Sequence, residues 1–422
     1  MKSRRATVLT AALAISATLL TACGSGSSGS SGDGKAELKF LTFTSPNVTK
    51  SLWEGAAANV TKKYPDIGIK LLYTPNLDRQ AYAKQLLATG QLPDILWDAP
   101  GSEFVKAGAL LSFDAADLKG MNVPSGYGTI GGKTYNLWNG SFLVPALHYN
   151  TEAFAKAGLK PPTTFDELLT DAVKLKAAGI TPFLVQSGSD LWSAGYLLQG
   201  IVSADVYGKT PDWLAQRKAG KVKFSDADFL GAVDKFVELR DKGLINKDAL
   251  SINYAQATTQ WKAGKAAMWP MGSWATATKT SFKVGVFPFP TADGSKVLPV
   301  SIGAAVYVSA KTAHPAEAKK AAVSLITNPS WQANDMKSDG VLPIVSGIKP
   351  LAGTSDATLS SLALLNDTSY KHVVGFLNEV GDDSPPPGFS DAFGKAMQGL
   401  IGGDSAKTFT ASLDKSWDSL DK

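Results

Sequence analysis

Three short apolar runs near the start of the chain, each separated from the next by an amphipathic stretch, narrow the choice of fold more than any other feature. Glu37–Thr42, Ile67–Tyr73 and Asp94–Trp97 have the alternating or continuous apolar pattern of strands. Val48–Tyr64, halted before Pro65, reads as a helix, and so does Arg79–Thr89, with Asp78 as its cap and Gly90 as its stop. A strand–helix–strand–helix–strand order implies parallel pairing, because a parallel neighbour is reached only through a long crossover. Ligands of open α/β sheets sit outside the carboxyl ends of the strands. The exits here are Ser45-Pro46-Asn47, Thr74-Pro75-Asn76 and Asp98-Ala99-Pro100, so these polar turns are expected along one edge of a first lobe. Turn formation alone accounts for Pro46 and Pro75.

Downstream, Glu103–Leu111 reads as a helix and Gly126–Trp138 as a hairpin turning at Gly131-Gly132. Leu143–Tyr149 then runs extended through Pro145. Thr164-Phe165-Asp166-Glu167 matches a capping box, ahead of Leu168, Leu169, Ala172, Val173 and Leu175 on one face and a stop at Gly179. Thr181–Gln186 is a strand whose exit loop carries Ser187-Gly188-Ser189-Asp190-Leu191-Trp192. Ser225–Asp228 caps a helix burying Phe229, Val233, Phe236 and Val237 and ending at Gly243. Val284–Phe287 and Gly303–Val308 read as strands, and Pro315–Ile326 as a helix with proline first and Asn328-Pro329 beyond its end. Gly340-Val341-Leu342-Pro343 breaks the pattern, before helices that include Phe393–Ile401 and Phe409–Trp417. No repeat of solenoid period is present. Strands fall in separate groups, so two α/β lobes are expected rather than one sheet.

The stretch Ala255–Ala277 carries the densest chemistry. Ala257, Thr258 and Trp261 fall at helical spacing, Gly264 is a stop, Ala266–Met268 suits a very short buried strand, and Ser273 suits a helix cap. Trp269-Pro-Met-Gly-Ser-Trp274 is then a strand-exit loop, with two indoles and a glycine beside free backbone N–H groups. A sugar ring suits such a surface. Core burial is the expectation for Trp261, ligand contact for Trp274, and Trp269 is open between the two.

At the other end, Lys2, Arg4 and Arg5 precede an apolar run Ala6–Leu20, too short and weakly hydrophobic for a comfortable membrane span, so Met1–Ala22 reads as an export signal. It ends Leu20-Thr21-Ala22-Cys23-Gly24, which resembles the lipobox of bacterial lipoproteins, whose cysteine is acylated and becomes the N-terminus. Cys23 is the only cysteine, so no internal disulfide can form. The Ser-Gly run to Gly34 behaves as a flexible tether. The chain is therefore expected outside the cytoplasm, held to the membrane through lipid on Cys23 alone. Of the formal net charge of +5, three units belong to the signal. The near balance that remains argues against nucleic acid or an anionic bilayer as partner.

Gly90-Gln91-Leu92-Pro93-Asp94-Ile95, Ala107-Gly108-Ala109-Leu110, His148-Tyr149-Asn150, Ala157-Gly158-Leu159, Pro161–Leu168, Gly264–Met268 with Gly272-Ser273-Trp274, and Pro315–Ala318 occur in an order and spacing that resemble the extracellular solute-binding proteins of bacterial ABC importers. The likeness is to the large class of carbohydrate binders related to maltose-binding protein, and it extends from Leu38 to Trp417. It implies an α/β fold of two lobes, a hinge crossed several times near Leu143–Ala146, Val297–Ile302 and Gly340–Pro343, and a ligand cleft between the lobes. Lobe one would comprise residues 36–143 and 300–342, lobe two 144–299 and 343–422, after a 1–22 signal and a 23–35 linker. Ser45, Trp97 and Asp98 would face the cleft from lobe one, and Trp138, Asn139, Asp190, Trp192, Trp269, Gly272 and Trp274 from lobe two or the hinge. Asp383, in the loop after the last crossing, would approach the ligand too, though Asp382-Asp383 also reads as a solvated acidic turn. Partners implied are a carbohydrate and the permease of an ABC importer, which a monomer would serve without cofactor.

Carboxylates and amides suit sugar hydroxyls, aromatic faces suit C–H surfaces, and ten tryptophans look like more than a core requires. His148, His314 and His372 lie far apart without metal-ligand spacing; His148 reads as packed and His314 as surface. No Gly-x-Ser-x-Gly elbow or P-loop is present. A lipid-anchored glycoside hydrolase is the second reading, since Asp98, Asp190 and Asp383 could oppose one another across a substrate. A non-sugar solute is the third.

Overall fold

The computed structural model describes residues 35–421 apart from 46, 76–78, 122–126 and 304. The signal, Cys23, the linker and the Asp78 cap lie outside the described residues.

Lobe one is built on a five-stranded sheet in the order Ile67–Tyr73, Ala36–Thr42, Ile95–Trp97, Ala305–Val308, Asn136–Trp138. Its first three strands are parallel, as their helical crossovers require, and the last two join antiparallel. Lobe two has a four-stranded sheet in the order Thr181–Phe183, Ala266–Met271, Ala146–Asn150, Val284–Phe287. Between them Lys371–Val373, Val297–Ile302 and Ser141–Leu143 form a small third sheet. Ser141 also exchanges backbone hydrogen bonds with Leu342, at 2.7 and 2.8 Å. The three expected crossings therefore run side by side, over a cluster of Leu143, Ala146, Leu298 and Leu342.

Most element positions agree with expectation, including the capping box at Thr164 and the Gly131-Gly132 turn, where both glycines adopt positive φ. The differences have physical causes. The helix expected over Glu103–Leu111 is Gly101–Lys106; Gly108 turns left-handed at φ 63° and Leu110 bridges Ser309, extending the sheet. Val173 is exposed, because Leu168, Ala172 and Leu175 already define the buried stripe and Val173 sits about 100° off it. Thr181–Gln186 is a strand only to Phe183. Asn328-Pro329, expected beyond the end of one helix, opens the next, Pro329–Asp339: the Asn328 side chain accepts from the N–H groups of Ser330 and Trp331 and the proline occupies the first turn.

The largest correction concerns residues 269–274. The strand expected to stop at Met268 continues through Trp269 and Pro270 to Met271. Proline is tolerated there because the neighbour Thr181–Phe183 pairs only as far as Met268, so Pro270 has a partner on one side alone. Ser273 caps no α-helix; it begins a 3-10 turn, Ser273–Ala277, and its hydroxyl donates to the Gly340 carbonyl.

Candidate ligand-binding site

Four aromatic rings gather on lobe two beside the hinge. Trp192 and Tyr196 come from the loop after Thr181–Phe183 and the helix it enters, Tyr254 from the first turn of the helix Tyr254–Lys262, and Trp274 from the 3-10 turn. Ring centroids lie 5.1 Å apart for Trp192–Tyr254, 5.9 Å for Trp192–Tyr196 and 6.2 Å for Tyr196–Trp274. Phe142, on the hinge, meets Trp274 edge-on at 5.3 Å. Trp192 leaves 50% of its surface exposed, and Tyr254 and Trp274 are half-buried.

Local chemistry fixes this arrangement. Asn253 caps the helix reciprocally with Gln256, and the Tyr254 N–H donates to Asp190 Oδ2 at 2.9 Å. Asp190 thereby ties the Trp192 loop to the helix end that carries Tyr254. Burial, and secondly the charge of Asp339, push the Tyr254 phenol up to about 12, with Trp274 close enough to oppose the rise. Gly272 leaves the room for the indole of Trp274 to fold back over the backbone.

Lobe one supplies polar groups. The Ser45 hydroxyl accepts from the N–H groups of Asn47 and Val48, shaping a turn from which Asn47 Nδ2 donates to Asp339 Oδ1 at 3.1 Å. Asp98, held at φ 62°, pairs with Arg79 at 2.9 Å and accepts from Gln80. Burial pushes the Asp339 carboxyl up to about 6, with the Asn47 hydrogen bond and the Arg79 charge opposing the rise. The negative charge of Asp339 also raises Tyr254, so the polar side of lobe one and the aromatic side of lobe two lie within each other's field.

The other expected contact residues are enclosed. Trp97, 4% exposed, packs against Trp53, Phe43 and Trp331. Trp138, equally buried, meets Tyr127 edge-on. Asn139 accepts from Trp331 Nε1 and donates to Asp335 at 2.5 Å, so its amide is committed to the Pro329–Asp339 helix. Trp269 is wholly buried; it donates to Gln186 and stacks behind Tyr254 at 5.9 Å. Trp261 is core, as expected. Asp383 is exposed, whereas Asp382 accepts from Gly131 N–H and donates to the Thr129 carbonyl. Of ten tryptophans only Trp192 and Trp274 escape burial, so the count reflects core packing after all.

A family model described as bacterial extracellular solute-binding protein matches residues 45–372. The chain belongs to this family. A multiple sugar-binding protein of Streptococcus mutans is 25% identical over 373 residues, 85% of this chain and 86% of that one. A chitin oligosaccharide binding protein shares the fold at TM-score 0.78 and 24% identity, covering 92% of this chain and all of the other. The solute-binding protein RafE in complex with raffinose does so at 0.72 and 22%, with the same coverage. These likenesses show the two-lobe fold.

Four groups beside the expected contact residues of this solute-binding protein carry no reading from the sequence as ligand contacts: Tyr196, Tyr254, Asp339 and Arg79. Two had a signal in the sequence. Asn253 with Gln256 is a capping box that places Tyr254 at a helix start, and Asn328-Pro329 opens a helix whose last residue before Gly340 is Asp339. Among the described residues no helix is long and apolar enough to cross a membrane, and no group of three His, Cys, Asp or Glu could hold a metal ion.

Proposed function

We propose that this protein captures a sugar between its lobes and delivers it, unaltered, to the permease of an ABC importer. The observation that carries this reading is the partly exposed group of Trp192, Tyr254 and Trp274, with Tyr254 within the field of the Asp339 carboxylate that Asn47 hydrogen-bonds: rings for C–H faces, and amide and carboxylate for hydroxyls. Names of relatives that bind multiple sugars, chitin oligosaccharides and raffinose support the same class of solute. Trp97, Trp138, Asn139 and Trp269 act in it as supports, Ser45 shapes the Asn47 turn, Asp190 anchors the Trp192 loop and Gly272 seats Trp274. Asp98, engaged by Arg79 and Gln80, and Asp190, engaged by a helix N–H, are poorly placed for acid–base work, which favours binding over hydrolysis.

The lobes comprise residues 36–143 with 300–342 and residues 144–299 with 343–422. Closure holds solute against both, so the solute shifts the population by its preference for the closed form. Outside the cytoplasm, the monomer is anchored through acylated Cys23. A thermal-shift and calorimetric screen against neutral mono- and oligosaccharides, with chromatography of the solute afterwards, tests the reading. A stabilising sugar recovered intact supports it; hydrolysis products, or no stabilising sugar, overturn it. Cys23→Ala should release the protein from the membrane fraction.

A further inference from the structure

Asp339 ends the helix Pro329–Asp339 where lobe one meets lobe two: the next residue, Gly340, has its carbonyl bound by the Ser273 hydroxyl of the turn that bears Trp274. Its side chain is half-buried, and the described residues give it one hydrogen bond, from Asn47. The titratable groups around it are few. Asp335 stands one turn back on its own helix; Arg79 approaches from the helix Arg79–Ala88 with its guanidinium committed to Asp98; Tyr254 faces it from lobe two. Asp339 thus has acceptor capacity to spare and, among the described residues, no ion pair of its own, the Arg79 charge acting on it only from its pairing with Asp98. A carboxylate so placed needs hydrogen-bond donors that bring no like charge.

We propose that Asp339 is a solute-binding residue of lobe one, whose ionised carboxylate accepts hydroxyls of a neutral sugar resting on Trp192, Tyr254 and Trp274. This rests on the sugar reading above and sharpens it. The carboxylate selects neutral sugars over acidic ones, and its protonation loosens the grip. With the free carboxyl near 6, acid must weaken binding: proton and sugar compete for the same lone pairs.

Calorimetry from pH 5 to 8, using the neutral sugar that most stabilises the protein, tests this. Wild-type affinity should fall about tenfold between pH 7.5 and pH 5. Asp339→Asn should bind about tenfold more weakly at pH 7.5 and with a flat profile, while Asp335→Asn keeps the slope. A uronic-acid analogue of the same sugar should be discriminated against by the wild type and less so by Asp339→Asn. A pH-independent wild type overturns the assignment while leaving the sugar reading intact, and so does an Asp339→Asn protein with wild-type affinity and slope. The wild-type profile needs no variant to fold. If no neutral sugar binds, the sugar reading itself fails and the role of Asp339 falls with it.

Discussion

The indole of Trp274 folds back over Gly272 so closely that a Cβ at residue 272 would lie 2.1 Å from the ring. Gly272 has φ −76°, a value any residue adopts, so what the position excludes is bulk. The atoms in the way are the far edge of a half-buried ring, which can swing outward. Gly272→Ala should therefore fold and melt close to wild type while its affinity falls as far as that of Trp274→Ala, by about 1–2 kcal/mol for loss of a stacking face. Calorimetry beside thermal unfolding separates the two effects. A Gly272→Ala protein with full affinity would show that the observed ring position is not the one the solute meets.

Trp192 and Trp269 should answer opposite assays. Trp192 is half exposed, so Trp192→Ala should cost less than about 1 kcal/mol of stability while weakening sugar binding by about 1–2 kcal/mol. Trp269 is fully buried with its N–H on Gln186, so Trp269→Ala should cost about 3–5 kcal/mol of stability. Urea unfolding with calorimetry checks both. Equal stability losses for the two would mean that Trp192 is packed in solution.

The contrast between these residues shows what was legible in the sequence. Periodicity and caps located the strands of lobe one and the Thr164 capping box, because those signals are local; the three hinge crossings came from the family resemblance. Which face of a tryptophan stays open is not local. Trp97 and Trp138 stand at strand ends as ligand-facing residues often do, yet Trp53, Trp331 and Tyr127, distant in sequence, close over them. Trp269 was ambiguous for the same reason: the short partner strand, which frees one side of Pro270 and lets the strand run on, is a property of the assembled sheet. Nor could spacing show that Tyr254 would lie within the field of Asp339, since the two stand on helices far apart in sequence.

Asp335 should make the protein less stable as pH rises. Burial first, and the neighbouring Asp339 second, push its carboxyl up to about 8, against an ordinary value near 4. The folded state thus holds a proton that the unfolded chain releases above about pH 4. That stabilisation is complete below pH 4 and lost as pH rises through about 8. Asp335→Asn keeps the shape and removes the titration. Compared with this variant, the wild type should lose roughly 3 kcal/mol between pH 5 and pH 8 in urea unfolding. Parallel pH curves for the two proteins would place the Asp335 carboxyl in the ordinary range.

His148 should act in the opposite sense. It lies fully buried on the strand paired with Trp269; its Nδ1 is 3.3 Å from the Trp269 carbonyl and, among the described residues, its Nε2 has no hydrogen-bond partner. Burial pushes the imidazole down to about 4, so it is neutral in the folded state and charges only on unfolding once pH falls below about 6.5. Its contribution is therefore present above 6.5 and lost as pH falls through about 4, a change of about 3 kcal/mol. His148→Gln, which keeps a donor toward the carbonyl, should remove that acid sensitivity, and thermal unfolding at pH 7 and pH 4.5 measures it. Because folded His148 stays neutral down to about pH 4, it leaves solute binding between pH 5 and 8 undisturbed. A His148→Gln protein that lost the slope of affinity in that window would transfer the proton-sensitive step from Asp339 to the strand behind Tyr254.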